Sequence, residues 1–97
     1  MLLIKSTFEN THHTEFIIQF NSQTSVIGAL IEIKSINVQG LKTEQREPFS
    51  LIFEIPGDTV YEQNTYPVHN KELGEFNLFL VPIGADENGV RYEAVFT

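Results

Sequence analysis

Hydrophobic residues recur at every second position along most of the chain, the period of a strand with one buried face. Phe16, Ile18 and Phe20 alternate with Ile17, Gln19 and Asn21, and Ile27, Ala29, Ile31 and Ile33 alternate with Gly28, Leu30, Glu32 and Lys34. The same rhythm runs through Phe49, Leu51, Phe53 and Ile55, through Phe76, Leu78 and Leu80, and through Val90, Tyr92, Ala94 and Phe96. Thr65 to His69 adds a shorter segment, so the pattern predicts six strands rich in the residue types that suit a pleated surface. Turn chemistry separates them at Asn21-Ser22-Gln23, Pro56-Gly57-Asp58, Asn70-Lys71-Glu72 and Asp86-Glu87-Asn88-Gly89. The Asn88-Gly89 pair is the strongest hairpin signal. Val38 to Arg46 reads as a long polar loop, and Pro48 opens the third strand. Pro82 predicts an edge or a bulge, and Gly28 a bulge or bend. Ser6-Thr7-Phe8-Glu9 fits a capping box and predicts a short helix near the start.

The expected fold is all-β: a six-stranded antiparallel small barrel, or a tight sandwich, with a short N-terminal helical segment, one domain over residues 1–97. Closure hides the strand edges that would otherwise invite aggregation. About eight strands are needed to hold even a small ligand inside. Six should be filled by their own Phe, Ile and Leu side chains, which disfavours a small-ligand carrier and moves function to the rim or the outer wall. That wall is unusual. The phase opposite the predicted core carries Ile17, Leu30, Ile52, Phe79, Val81, Ile83 and Val95, where an outward face normally reads polar. These seven form a candidate interaction stripe. Its expected cover is either the N-terminal Leu2, Leu3, Ile4 and Phe8 or another protein surface, a second copy included.

Composition narrows the function classes. About a third of the 97 residues are Leu, Ile, Val or Phe, too apolar a load for a disordered chain. The net charge of −7 lacks the basic field that nucleic-acid binding requires. Residues 1–46 are balanced, with four basic and four acidic side chains; residues 47–97 hold nine acidic side chains against Lys71 and Arg91. Such an acidic half favours solubility, and it would steer a basic partner in a salt-dependent way. The lack of cysteine excludes disulfides, thiolate nucleophiles, iron–sulfur clusters and cysteine zinc sites; separately, no cofactor is expected. No apolar run approaches the roughly 18–20 residues of a membrane span, and Met1-Leu2-Leu3-Ile4-Lys5 lacks the form of a signal peptide. The expected location is the cytoplasm or an assembled particle.

Catalytic signals are sparse. His12 and His13 are adjacent, so their side chains diverge and chelate poorly as a pair. His69-Asn-Lys-Glu72 is not a His-Glu-x-x-His motif, and no metal site is expected. The alternative to an interaction module is a small-barrel isomerase or hydrolase. It would use His69 with a carboxylate such as Glu72 and a hydroxyl from Tyr61, Tyr66 or Tyr92, gathered in one concave pocket. Arg91 and Glu93 fall on one outer face, where a cross-strand ion pair is the simpler role. No nucleophile elbow and no glycine-rich phosphate loop is present.

Four segments in order, Arg46-Glu-Pro-Phe-Ser-Leu-Ile-Phe53, Tyr66 with His69-Asn-Lys-Glu-Leu-Gly74, Leu78-Phe-Leu-Val-Pro-Ile-Gly84 and Gly89-Val-Arg-Tyr-Glu-Ala-Val-Phe96, resemble a family of small bacterial proteins of uncharacterised function. The resemblance covers Arg46 to the C-terminus, with a looser match around Phe8 and the strand from Phe16. It implies a neighbourhood of phage-tail-collar-like proteins and a structural or assembly role, and it supplies no catalytic residues. The leading expectation is a non-enzymatic protein-interaction or structural accessory module with a protein partner or self-association, and without nucleic acid, membrane or small-molecule ligand.

Overall fold

A computed structural model of the protein describes residues 3–11, 14–36 and 48–96. The polar loop expected over Val38 to Arg46 and the His12-His13 pair lie outside the described residues. One short helix, α1 (Lys5–Glu9), precedes six strands: β1 (Glu15–Asn21), β2 (Thr24–Ser35), β3 (Phe49–Ile55), β4 (Asn64–Asn70), β5 (Gly74–Asp86) and β6 (Gly89–Phe96). They close into a barrel in the order β1-β2-β3-β6-β5-β4, and every neighbouring pair is antiparallel.

The inward phases of β1, β3, β5 and β6 are those the alternation predicts. Phe16, Ile18, Phe49, Leu51, Phe53, Leu78, Leu80, Val90, Tyr92 and Ala94 are buried in one cluster. Among the described residues, these side chains occupy the interior of the barrel. β2 departs from the expectation. Val26 and Leu30 pack on the core, while Ile27 and Ile31 point outward and are about half exposed. Both phases of this strand are apolar, so alternation alone cannot orient it. Between Leu30 and Glu32 the register shifts by a bulge, after which Ile33 packs on the core. Gly28 marks neither bulge nor bend: it sits opposite Phe16 in regular pairing, and a Cβ there would meet Ile18 Cδ1 and Ile55 Cγ1 at 3.2 Å. Its role is close packing. Pro82 does accompany a bulge, between Pro82 and Gly84.

Each end of the barrel has an aromatic plug. In the ring of strands β3 and β4 stand opposite each other, so residues 56–63 must cross one end. Tyr61 of that crossing stacks on Phe20, with ring centroids 4.0 Å apart and planes 8° apart. The crossing is tied down twice: the Tyr61 N–H donates to the Tyr92 hydroxyl at 2.8 Å, and the Tyr66 hydroxyl donates to the Glu62 carbonyl. Desolvation by burial pushes both the Tyr66 and the Tyr92 phenol above the usual tyrosine range.

At the other end α1 delivers Phe8. Its ring lies 5.8–6.4 Å from those of Phe16, Phe49, Phe76 and Phe96. The β5–β6 ladder stops at Val81 and Glu93, before the strands reach this end, and Phe8 packs against Phe76 near the start of β5 and Phe96 at the end of β6. The N-terminal segment thus corks the barrel instead of lying across its outer stripe. A five-residue helix is too short to persist alone; the buried Phe8 holds it in place. Its cap also differs from the expected box. The N-cap is Ile4, not Ser6, and the Ile4 N–H donates to the Thr7 hydroxyl at 3.5 Å.

Candidate functional site

With the interior filled, the outer wall and the ends remain, and the ladder register maps the wall. On the β3–β6–β5 side, Ile52 pairs with Glu93 and Glu93 with Val81, so these three outward positions form one row across three strands. Val95 lies two residues further along β6, and Phe79 two residues back along β5. Phe79 and Val95 are each 54% exposed, and Ile83, in the Pro82 bulge, is 49% exposed. Val81 is half-buried.

Ile52 belongs to the outer phase but is buried outside the core cluster, with Glu32 and Glu93 as its two ladder partners. Ser50, also in the outer phase, is buried as well. Of the seven stripe positions, Leu30 is displaced to the inside by the phase of β2, and Ile17 lies elsewhere on the wall. The stripe is thus divided. Phe79, Val81, Ile83 and Val95 share the β5–β6 side around Ile52, whereas Ile17 pairs with Ile27 on β2 and with His69 on β4. Sequence reasoning missed Ile27 and Ile31 as exposed positions because it placed them in the core.

The charges on the two outward rows differ in kind. Arg91 sits opposite Glu54 in the ladder, and its guanidinium lies 3.5 Å from the Glu54 carboxylate and 3.0 Å from that of Asp86. The expected cross-strand ion pair is therefore made between Arg91 of β6 and Glu54 of β3. The backbone N–H of Asn88, then the Arg91 side chain, hold the Asp86 carboxyl below the usual carboxylate range. Two residues on, Glu93 is half-buried between Ile52 and Val81. Among the described residues it has no hydrogen bond and no ion pair.

His69 lies on the outer wall beside Ile17 and opposite Glu75. It borders two shallow grooves of about 310 Å³ each. One runs over Gln19, Pro67, Glu75 and Asn77, and the other over Glu15, Ile27 and Lys71. Glu72 lines neither. Its N–H and that of Leu73 donate to the side-chain oxygen of the buried Asn70, whose amide nitrogen donates to the Glu15 carbonyl. Tyr61, Tyr66 and Tyr92 cluster around Phe20 at the opposite end of the barrel. The structure therefore does not gather His69, Glu72 and a tyrosine in one pocket. Among the described residues no group of three His, Asp or Glu side chains is placed to hold a metal ion.

Residues 3–96 match a family described as Domain of unknown function (DUF6916). No curated protein matches the chain significantly, and no solved structure does. The match spans α1, the whole closed barrel and both of its aromatic plugs, and on that evidence the chain belongs to the DUF6916 family.

Proposed function

We propose that the protein is a non-enzymatic interaction module, a structural accessory that binds another protein through its outer wall, within the cell or in a tail-like or surface assembly. The observation that supports this reading is the β5–β6 side of the barrel, where Phe79, Ile83 and Val95 stand about half exposed beside Val81. Together they leave on the order of 300 Å² of apolar surface in water, comparable to the largest patch of an ordinary monomer and often functional. Such a patch supplies the apolar centre of a contact that needs about 800 Å² from each partner. The enzymatic alternative draws less support, because His69 borders shallow grooves and the Tyr66 and Tyr92 hydroxyls serve the plug at the far end.

The test is whether the protein travels alone. Extracts of its own host are separated by size under mild conditions, with wild type compared to Phe79→Glu and Val95→Glu. The expected result is a wild-type species several times heavier than 11.1 kDa, with both folded variants shifted to lower mass. A wild type that runs as a free monomer at every concentration overturns the proposal.

A further inference from the structure

The same wall carries a feature that selects the chemistry of its partner. Glu93 occupies the middle of the patch, with Ile52 on one side, Val81 on the other and Val95 next on its own strand. The one cation on β3, β5 and β6 is Arg91, two residues away, and it is held by both Glu54 and Asp86. Covering the patch with an apolar surface would strip water from the Glu93 carboxylate and leave it uncompensated, a cost that a docking partner must remove. A second copy of this chain docked face to face would set one Glu93 against another, and each copy carries a net charge of −7. The reverse arrangement, a cation flanked by apolar side chains, matches both the charge and the surroundings.

Resting on the interaction-module reading above, we infer that the β3–β6–β5 wall docks a basic segment of another protein, with an Arg or Lys seated on Glu93 and apolar neighbours on Phe79, Val81 and Val95. The acidic second half of the chain adds long-range attraction to the same class of partner and speeds encounter at low salt. Glu93 sets specificity by accepting the cation and by penalising acidic competitors, and the apolar rim keeps water from the pair.

The experiment uses isotope-labelled full-length protein and two extended decapeptides. One carries a central Arg with Leu two residues to either side among serines; the other has Glu in place of that Arg. Amide resonance shifts report both affinity and location. The Arg peptide is expected to bind at least about tenfold more tightly than the Glu peptide, a difference of one decade in Kd. Its shifts should concentrate at Ile52, Phe79, Val81, Glu93 and Val95. Glu93→Gln should lower its affinity severalfold, and Glu93→Arg should reverse the preference toward the Glu peptide. Equal binding of the two peptides, no binding at millimolar concentration, or shifts confined to the acidic crossing around Asp58 and Glu62 would each overturn the inference. So would a wild-type dimer in sedimentation that Phe79→Glu dissolves, because the wall would then belong to a second copy. That last result would leave the interaction-module reading standing, whereas a wild type found free of every complex in host extracts would remove that reading itself.

Discussion

Replacing Phe8 by Ala tests the account of how the barrel is closed. Phe8 is 2% exposed and has four aromatic neighbours with centroids 5.8–6.4 Å away. Truncation removes the buried ring and leaves a void between β5 and β6, where no ladder hydrogen bonds resist opening. Core Phe→Ala changes cost about 3–5 kcal/mol, and the favourable edge contact with Phe76 argues for the upper half of that range. Against a typical total stability of about 5–15 kcal/mol this is a large fraction. At about 4–8 °C per kcal/mol for a domain of this size, Tm should fall by roughly 16–40 °C. The assay is urea unfolding followed by far-ultraviolet circular dichroism, paired with calorimetry. Phe79→Ala, on the exposed wall, is the control and should cost less than about 1 kcal/mol. Amides of residues 5–10 should also lose exchange protection in Phe8→Ala, because the helix has no other large anchor in the core. A loss below about 1 kcal/mol for Phe8→Ala, equal to the control, would refute the plug and make α1 a surface appendage.

Two further perturbations probe the opposite end. Gly89 has φ 136°, and a Cβ added there would fall 2.2 Å from the Ile55 carbonyl oxygen; Gly89→Ala should therefore cost more than about 2 kcal/mol, read from the urea midpoint, since both the backbone angle and the space forbid it. Tyr92→Phe should cost about 1 kcal/mol by removing the acceptor of the Tyr61 N–H. The same variant should show a gentler alkaline decline. Burial raises the Tyr92 phenol above the usual tyrosine value of about 10, so its contribution is complete below that pH and is lost as pH climbs from there through the folded-state value. An unchanged alkaline limb in Tyr92→Phe would contradict that assignment.

Strand number, the inward faces of β1, β3, β5 and β6, the last hairpin and the filled interior were all legible in the sequence. They rest on local rules: period-two burial, turn residues, and the small circumference of six strands. The orientation of β2 was not legible, because Val26 and Leu30 compete with Ile27 and Ile31 for the inside, and only pairing with strands already oriented decides between two apolar phases. A bulge then restores Ile33 to the core, and a register shift has no signature in hydrophobicity alone. Phe8 was legible as apolar but not as a cork, since its place depends on where the β5–β6 ladder ends. The candidate site divides in the same way. Exposed Phe79, Ile83 and Val95 followed from alternation, whereas the isolation of Glu93 did not. Arg91 and Glu93 share a face in the sequence, and cross-strand register alone gives Arg91 to Glu54 and leaves Glu93 between two hydrocarbons. Patterns along a chain fix which way a side chain points; the partners it meets are set by strands distant in sequence, and those exist only once the barrel has closed.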